Sequence, residues 1–192
     1  MSLFTDNIAA NIAVQTAILN DTVLLGNLEQ AAEVCLKALK ENKKLLFCGN
    51  GGSAADAQHL AAEFTGRFYL NRPALYAEAL HVNTSYLTAV ANDYSFDVVY
   101  SRMIDGIGQA GDVLVAISTS GNSNNILLAI EAAKAKGMTV IGLTGKTGGK
   151  MATVVDILLN APSTTTPRIQ EAHILMGHCI CESVEAEYFK ES

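Results

Sequence analysis

Five short apolar runs, separated by stretches of helical periodicity, constrain this chain more than any other feature. They are Leu45–Cys48, Ala74–Ala79, Val113–Ile117, Thr139–Leu143 and Asp156–Leu159. Several are apolar throughout rather than alternating, the pattern of strands covered on both faces. Helical periodicity fills the gaps at Ser53–Thr65, Thr84–Asn92 and Ser123–Lys136, with a shorter piece near Gly149–Thr153 and a long final helix over Pro167–Tyr188. Thr166 is expected to cap that last helix, with Pro167 in its first position. Strands alternating with helices imply a doubly wound parallel sheet of the α/β class, five-stranded and flanked by helices. Residues 1–42 precede the first run and read as a helical pair, with Leu28, Ala31, Ala32, Cys35 and Leu39 on one face and Ile8, Ile12 and Leu19 as a weaker stripe.

Composition narrows the function classes. Thirteen Lys and Arg stand against 19 Asp and Glu, a net charge of −6, which argues against direct nucleic-acid binding through phosphates. Hydrophobic residues are 49% and charged residues 17%, which argues against disorder and leaves room for buried surface at an oligomer interface. A length of 192 residues suits a single domain, 1–192, with the helical pair included. No run of 18 apolar residues predicts a membrane span, and Met1 to Gln15 has no basic segment before an apolar one, so a cytoplasmic protein is expected. Cys35, Cys48, Cys179 and Cys181 form no Cys-x-x-Cys motif and read as reduced structural thiols, Cys179 and Cys181 facing different ways on one helix.

Doubly wound sheets bind ligands beyond the carboxyl ends of their strands, so the loops after Cys48, Ala79 and Ile117 are the ones to inspect. The first, Gly49-Asn50-Gly51-Gly52-Ser53, follows a strand and opens a helix. Its glycines let a ligand approach the main chain, and Ser53 is expected to cap the helix, whose free N–H groups attract anions. Gly49, Gly51 and Ala54 also fit a loose dinucleotide pattern, so a Rossmann dehydrogenase competes, with Glu78 as its only candidate ribose acid. The third loop, Ser118-Thr119-Ser120-Gly121-Asn122-Ser123, brings four hydroxyls to a helix start. A plain cap needs one hydroxyl, whereas a phosphate monoester has several acceptor oxygens to satisfy. Thr144-Gly145-Lys146-Thr147 resembles the end of a Walker A loop, but the earlier glycine that motif needs falls on Val140, so the segment reads as a strand-exit turn.

His59 and Glu63 are four apart and share a helical face, which suits a divalent metal, a base with its neighbour, or a plain solvated pair. Arg67 at the helix end can hold an anion or complement the dipole. On the last helix, Ile169, Ala172, Met176, Cys179 and Ser183 read as the less polar face, and Glu171, His178, Glu182 and Glu185 as another. His178 among carboxylates suits acid/base work or metal binding, while His173 reads as a packing residue. Gln170 and His178 are eight apart, about 12 Å along the axis, so one metal held by both requires leaning side chains or a second subunit.

CGNGGSAADAQHLAAEFTGRF (48–68), AND (91–93), ISTSGNS (117–123) and TPRIQEAHILMGH (166–178) together resemble the sedoheptulose-7-phosphate isomerase, or phosphoheptose isomerase, family of SIS-domain proteins, over nearly the whole chain. The resemblance implies a Rossmann-like SIS fold and conversion of sedoheptulose 7-phosphate to D-glycero-D-manno-heptose 7-phosphate. That is the first step towards the ADP-heptose of lipopolysaccharide. It also implies a homotetramer with active sites at subunit interfaces, and one zinc ion per subunit. By the same resemblance the zinc ligands are His59, Glu63, Gln170 and His178. The sugar-phosphate contacts are Asn50, Gly51, Gly52, Ser53, Glu63, Asn92, Asp93, Ser118, Thr119, Ser120, Ser123 and Gln170, with Arg67 as a further contact. Glu63 and His178 would carry proton transfer through an enediol(ate). Some members carry Asp where this chain has Pro167, so no acid role passes to that place. A non-catalytic paralogue that associates with a replication initiator is the competing class, expected to lack the catalytic Glu and His that this chain retains.

Overall fold

The computed structural model describes residues 2–190. Two helices come first, α1 (Leu3–Leu19) and α2 (Thr22–Lys40). The Ser2 side chain caps α1 by accepting from the Thr5 N–H, and Asp21 caps α2 through the N–H groups of Val23 and Leu24. There follow β1 (Leu45–Gly49), α3 (Gly52–Thr65), β2 (Ala77–Ala79), α4 (Thr84–Asp93), a 3₁₀ turn at Phe96–Val98, α5 (Val99–Ile107) and β3 (Val113–Ile117). The chain ends through α6 (Asn124–Ala135), β4 (Thr139–Thr144), a 3₁₀ turn at Gly149–Thr153, β5 (Ile157–Asn160) and α7 (Thr166–Tyr188).

The five strands are all parallel, in the order β2-β1-β3-β4-β5, so the expected doubly wound α/β sheet is what forms. Alternation along each central strand feeds two cores. Leu45, Phe47, Val113, Val115, Ile117, Ile141 and Leu143 meet α2, α3 and α7 on one face. Leu46, Cys48, Leu114, Ala116 and Val140 meet α5 and α6 on the other. Full burial of each such Leu or Ile contributes ~1.5–3 kcal/mol. Burial on both faces is why β1 and β3 carry no polar residue between Leu45 and Cys48 or Val113 and Ile117.

Four local expectations need correction. The second strand is shorter than 74–79, because the Leu75 N–H is diverted to the Phe64 carbonyl at the end of α3. Helix α5 is absent from the sequence expectation although Val99, Tyr100, Met103, Ile104 and Ile107 recur at helical spacing and pack into the second core; with nine residues it is a short window for a periodic signal. Helix α7 starts one residue early, with Thr165 at the cap position and Thr166 already helical. Ile169, Ala172 and Met176 are buried as expected, but the face continues through His173, Gly177, Ile180, Cys181, Val184 and Glu185, while Cys179 and Ser183 are exposed. Packing against both α3 and α2 turns that face relative to the stripe the apolar residues suggest.

All four cysteines are free, and Cys35, Cys48 and Cys181 are buried. Burial pushes the Cys35 and Cys48 thiols up to about 12, consistent with inert structural thiols. Among the described residues no single helix is long and apolar enough to cross a membrane.

Candidate active site

The strand order places a topological switch between β1 and β3, since the chain leaves β1 for β2 on one side and returns as β3 on the other. Gly49 and Ile117 are paired in register at the carboxyl ends of these strands. The loops that follow, Asn50–Gly51 and Ser118–Ser123, therefore open side by side. Asn50 and Asn125 bridge them with two reciprocal amide hydrogen bonds of 2.9 Å.

Within the first loop, Gly51 is the helix cap residue, at φ +56, a conformation that favours glycine. The expectation that Ser53 caps α3 is not met: Ser53 lies inside the first turn, buried, and no side chain caps the helix. The N–H groups at this end thus lack a side-chain acceptor, as an anion site requires. Gly52 faces Gln170 of α7, and a methyl group at Gly52 would overlap the Gln170 amide. That contact brings the start of α7 to the loop.

In the second loop the Ser118 hydroxyl lies 3.1 Å from that of Ser123 and 3.5 Å from that of Ser120. Ser123 occupies the α6 cap position yet makes no capping hydrogen bond. The hydroxyls are thus grouped with one another rather than spent on the helix. The segment after β4 holds this loop from behind. Gly145 N–H donates to Thr119 O, Met151 N–H to Gly121 O, and Lys150 N–H to the Asn122 side chain at 3.0 Å. Gly121, Gly148 and Gly149 all have positive φ, and side chains at Gly121 or Gly149 would strike the backbone of the opposing segment. The Walker-like Gly-Lys-Thr stretch is therefore a backing for the hydroxyl loop, which its turn-like composition alone did not indicate.

His59 and Glu63 on α3 meet His178 on α7. His59 Nε2 is 3.1 Å from His178 Nε2 and 3.3 Å from Glu63 Oε1, and one ligand atom from each of the three falls within 4.8 Å of the others. Among the described residues no other three His, Cys, Asp or Glu side chains converge in this way. Tetrahedral zinc with bonds of ~2.0–2.1 Å sets its ligand atoms roughly 3.3 Å apart, so the spacing fits a metal. Two imidazoles and a carboxylate with a position left open also match the donor set of catalytic sites. The expected fourth donor, Gln170, has its side-chain amide against Gly52.

Phe68 packs on His178, ring centroids 5.7 Å apart, a neighbour that an aromatic just past a helix end did not announce. His173 is fully buried and donates to Thr144 O at 2.9 Å, as a packing residue would. Burial pushes its imidazole down to about 4, the hydrogen bond opposing only in part. Glu185, expected on the polar face, is buried instead. Burial alone would raise its carboxyl, but the N–H groups of Leu70, Phe68 and Tyr69 and the Arg72 side chain outweigh that and hold it at about 2. Asn92, Asp93 and Arg67 are exposed, Asn92 bonded to its neighbour Asp93 at 2.9 Å, and the structure does not link these three to either loop by hydrogen bonds. Asn125 was missed by sequence reasoning. Its signal was a second asparagine inside a helix start, where a cap needs only one polar residue.

Known proteins are similar to this chain in sequence and in fold. The SIS domain family model matches residues 11–145. A phosphoheptose isomerase of Akkermansia muciniphila is 53% identical over 166 residues, 86% of this chain and 88% of that protein. The solved phosphoheptose isomerase of Neisseria gonorrhoeae superposes with a TM-score of 0.89 at 47% identity, covering 95% of this chain and 97% of that one. That of Francisella tularensis gives 0.90 at 35% identity, covering 94% and 95%.

Proposed function

This chain belongs to the phosphoheptose isomerase family of SIS-domain proteins, and on that premise we propose how its site isomerises sedoheptulose 7-phosphate. The convergence of His59, Glu63 and His178 is the observation that carries the reading, because a paralogue without catalysis has no use for it.

The phosphate is received by the hydroxyls of Ser118, Thr119, Ser120 and Ser123 together with the Gly52 N–H at the start of α3. Asn50, Gly52 and Ser53 line the same loop, and Gln170 reaches it from α7 to meet the sugar. Asn92, Asp93 and Arg67 complete the contacts. Such a cradle needs little positive charge, which reconciles a phosphate substrate with a chain of net charge −6.

At the other end of the sugar, isomerisation moves one proton between carbons and one between oxygens. Glu63 takes the proton from C1 of the ketose and returns it at C2, and His178 passes the hydroxyl proton from O1 to O2. The intermediate between the two halves is a cis-enediol(ate). Zinc held by His59, Glu63 and His178 would supply polarisation of the carbonyl and enediolate oxygens. A carboxylate engaged by a metal would be a poorer base, and Glu63 is assigned both roles. The exposed apolar stripe of Phe4, Ile8 and Ile12 on α1 supports association into a homotetramer.

The test is turnover of sedoheptulose 7-phosphate by the purified protein, with zinc and with chelator. Wild-type turnover with loss in Glu63→Gln and His178→Ala is expected. An inactive wild type that binds a replication initiator tightly would hand the chain to the paralogue class.

A further inference from the structure

We propose that Arg72 and Glu185, neither of them among the expected site residues, are a positioning pair that sets Glu63 against His178.

The Arg72 side chain is 3% exposed, and each of its three nitrogens is engaged. Nη2 donates to the carbonyl of Glu63 itself at 2.9 Å, and Nη1 to those of Phe64 at 2.7 Å, Pro73 at 3.1 Å and Gly66 at 3.3 Å. These include the last free carbonyls of α3, so the guanidinium caps the helix that carries His59 and Glu63. Nε donates to Glu185 Oε1 at 2.7 Å. Glu185 lies on α7 two turns beyond His178, on nearly the same side of the helix. Its carboxylate also accepts the N–H groups of Phe68, Tyr69 and Leu70 at 2.9, 2.7 and 2.9 Å. One of those residues, Phe68, is the one whose ring rests on His178.

The pair thus joins three things at one point: the end of α3, the α7 helix and the 66–70 segment. Each bears on the triad. A planar fork with five donors, facing a carboxylate, fixes direction as well as distance, which a lysine could not do. Sequence spacing hides the pair, since 113 residues separate the partners. The inference rests on the reading of His59, Glu63 and His178 as the reacting and metal-holding cluster.

The experiment uses the full chain and the variants Glu185→Gln and Arg72→Lys, with Ile157→Val in the remote edge strand as a control for lost stability. Turnover of sedoheptulose 7-phosphate, zinc affinity by chelator competition and thermal melting are measured on each. In the pair variants kcat and zinc affinity should both fall about 10–100-fold, the range for outer-shell partners of metal ligands. KM should stay near the wild-type value, because the hydroxyl loop is untouched. The control should melt earlier with zinc affinity unchanged. Pair variants that lose only melting temperature would overturn the proposal, and so would a Glu185→Gln protein that does not fold, since the pair would then be part of the folding core. A wild type without turnover would count against the isomerase reading instead, and the zinc affinities would still judge the pair.

Discussion

Asn50 and Asn125 exchange two amide hydrogen bonds across the gap between β1 and β3, and Asn125 is buried. The pair holds the two loops proposed to receive the phosphate at a fixed separation. Asn125→Ala removes both bonds and leaves the half-buried Asn50 amide to water, a loss of about 1 kcal/mol, the low end for a group left without its partner. On the proposal that these loops receive the phosphate while the triad lies further along α3 and α7, KM should rise several-fold with kcat little changed. Steady-state kinetics and a thermal melt check this. A lower melting temperature with unaltered KM would show the pair to be structural only.

The glycines behind the hydroxyl loop should behave in the same direction by a different cause. Gly149 has φ +55, and a side chain there would strike the Ser120 carbonyl. Gly149→Ala therefore adds left-handed strain of roughly 1–2 kcal/mol and pushes the Ser120 end of the cradle. Weaker competition by inorganic phosphate is expected, together with a raised KM. An unchanged inhibition constant for phosphate would separate the backing segment from binding.

Legibility of this fold follows from the length scale of each interaction. The central strands could be read because burial on both faces writes a continuous apolar run into consecutive residues, as in Val113–Ile117, whereas the edge strands β2 and β5 alternate in burial. Helix α5 is harder to read although Val99, Tyr100, Met103, Ile104 and Ile107 do form a helical stripe, because nine residues ending near Gly106 give that stripe little length to show itself. The triad was legible in parts. His59 and Glu63 are a helical pair visible from spacing alone, whereas His178 joins them only through the packing of α7 on α3. The same packing buried Glu185, whose role depends on an arginine 113 residues earlier. Long-range polar partners such as these leave no periodic trace, and a buried carboxylate reads in sequence like any exposed one.

His173 makes the stability of the protein depend on pH in a predictable sense. Its Nε2 donates to Thr144 O, and Nδ1 is buried with no hydrogen-bond partner. Protonation would place a second N–H, and a charge, where nothing can accept it. The folded-state value is accordingly held down at about 4, against an ordinary value of 6.5. In this window the unfolded chain binds the proton and the folded chain does not. Stability from this group is thus complete above pH 6.5, falls as the pH drops towards 4, and levels off below. The difference of about 2.5 units corresponds to about 3 kcal/mol. Urea unfolding of the wild type and of His173→Gln at pH 7, 6, 5 and 4 isolates the contribution, since other titrating groups are common to both. The wild type should lose stability relative to the variant across the series. Parallel lines for the two proteins would mean that His173 takes up its proton in the fold as easily as in the unfolded chain.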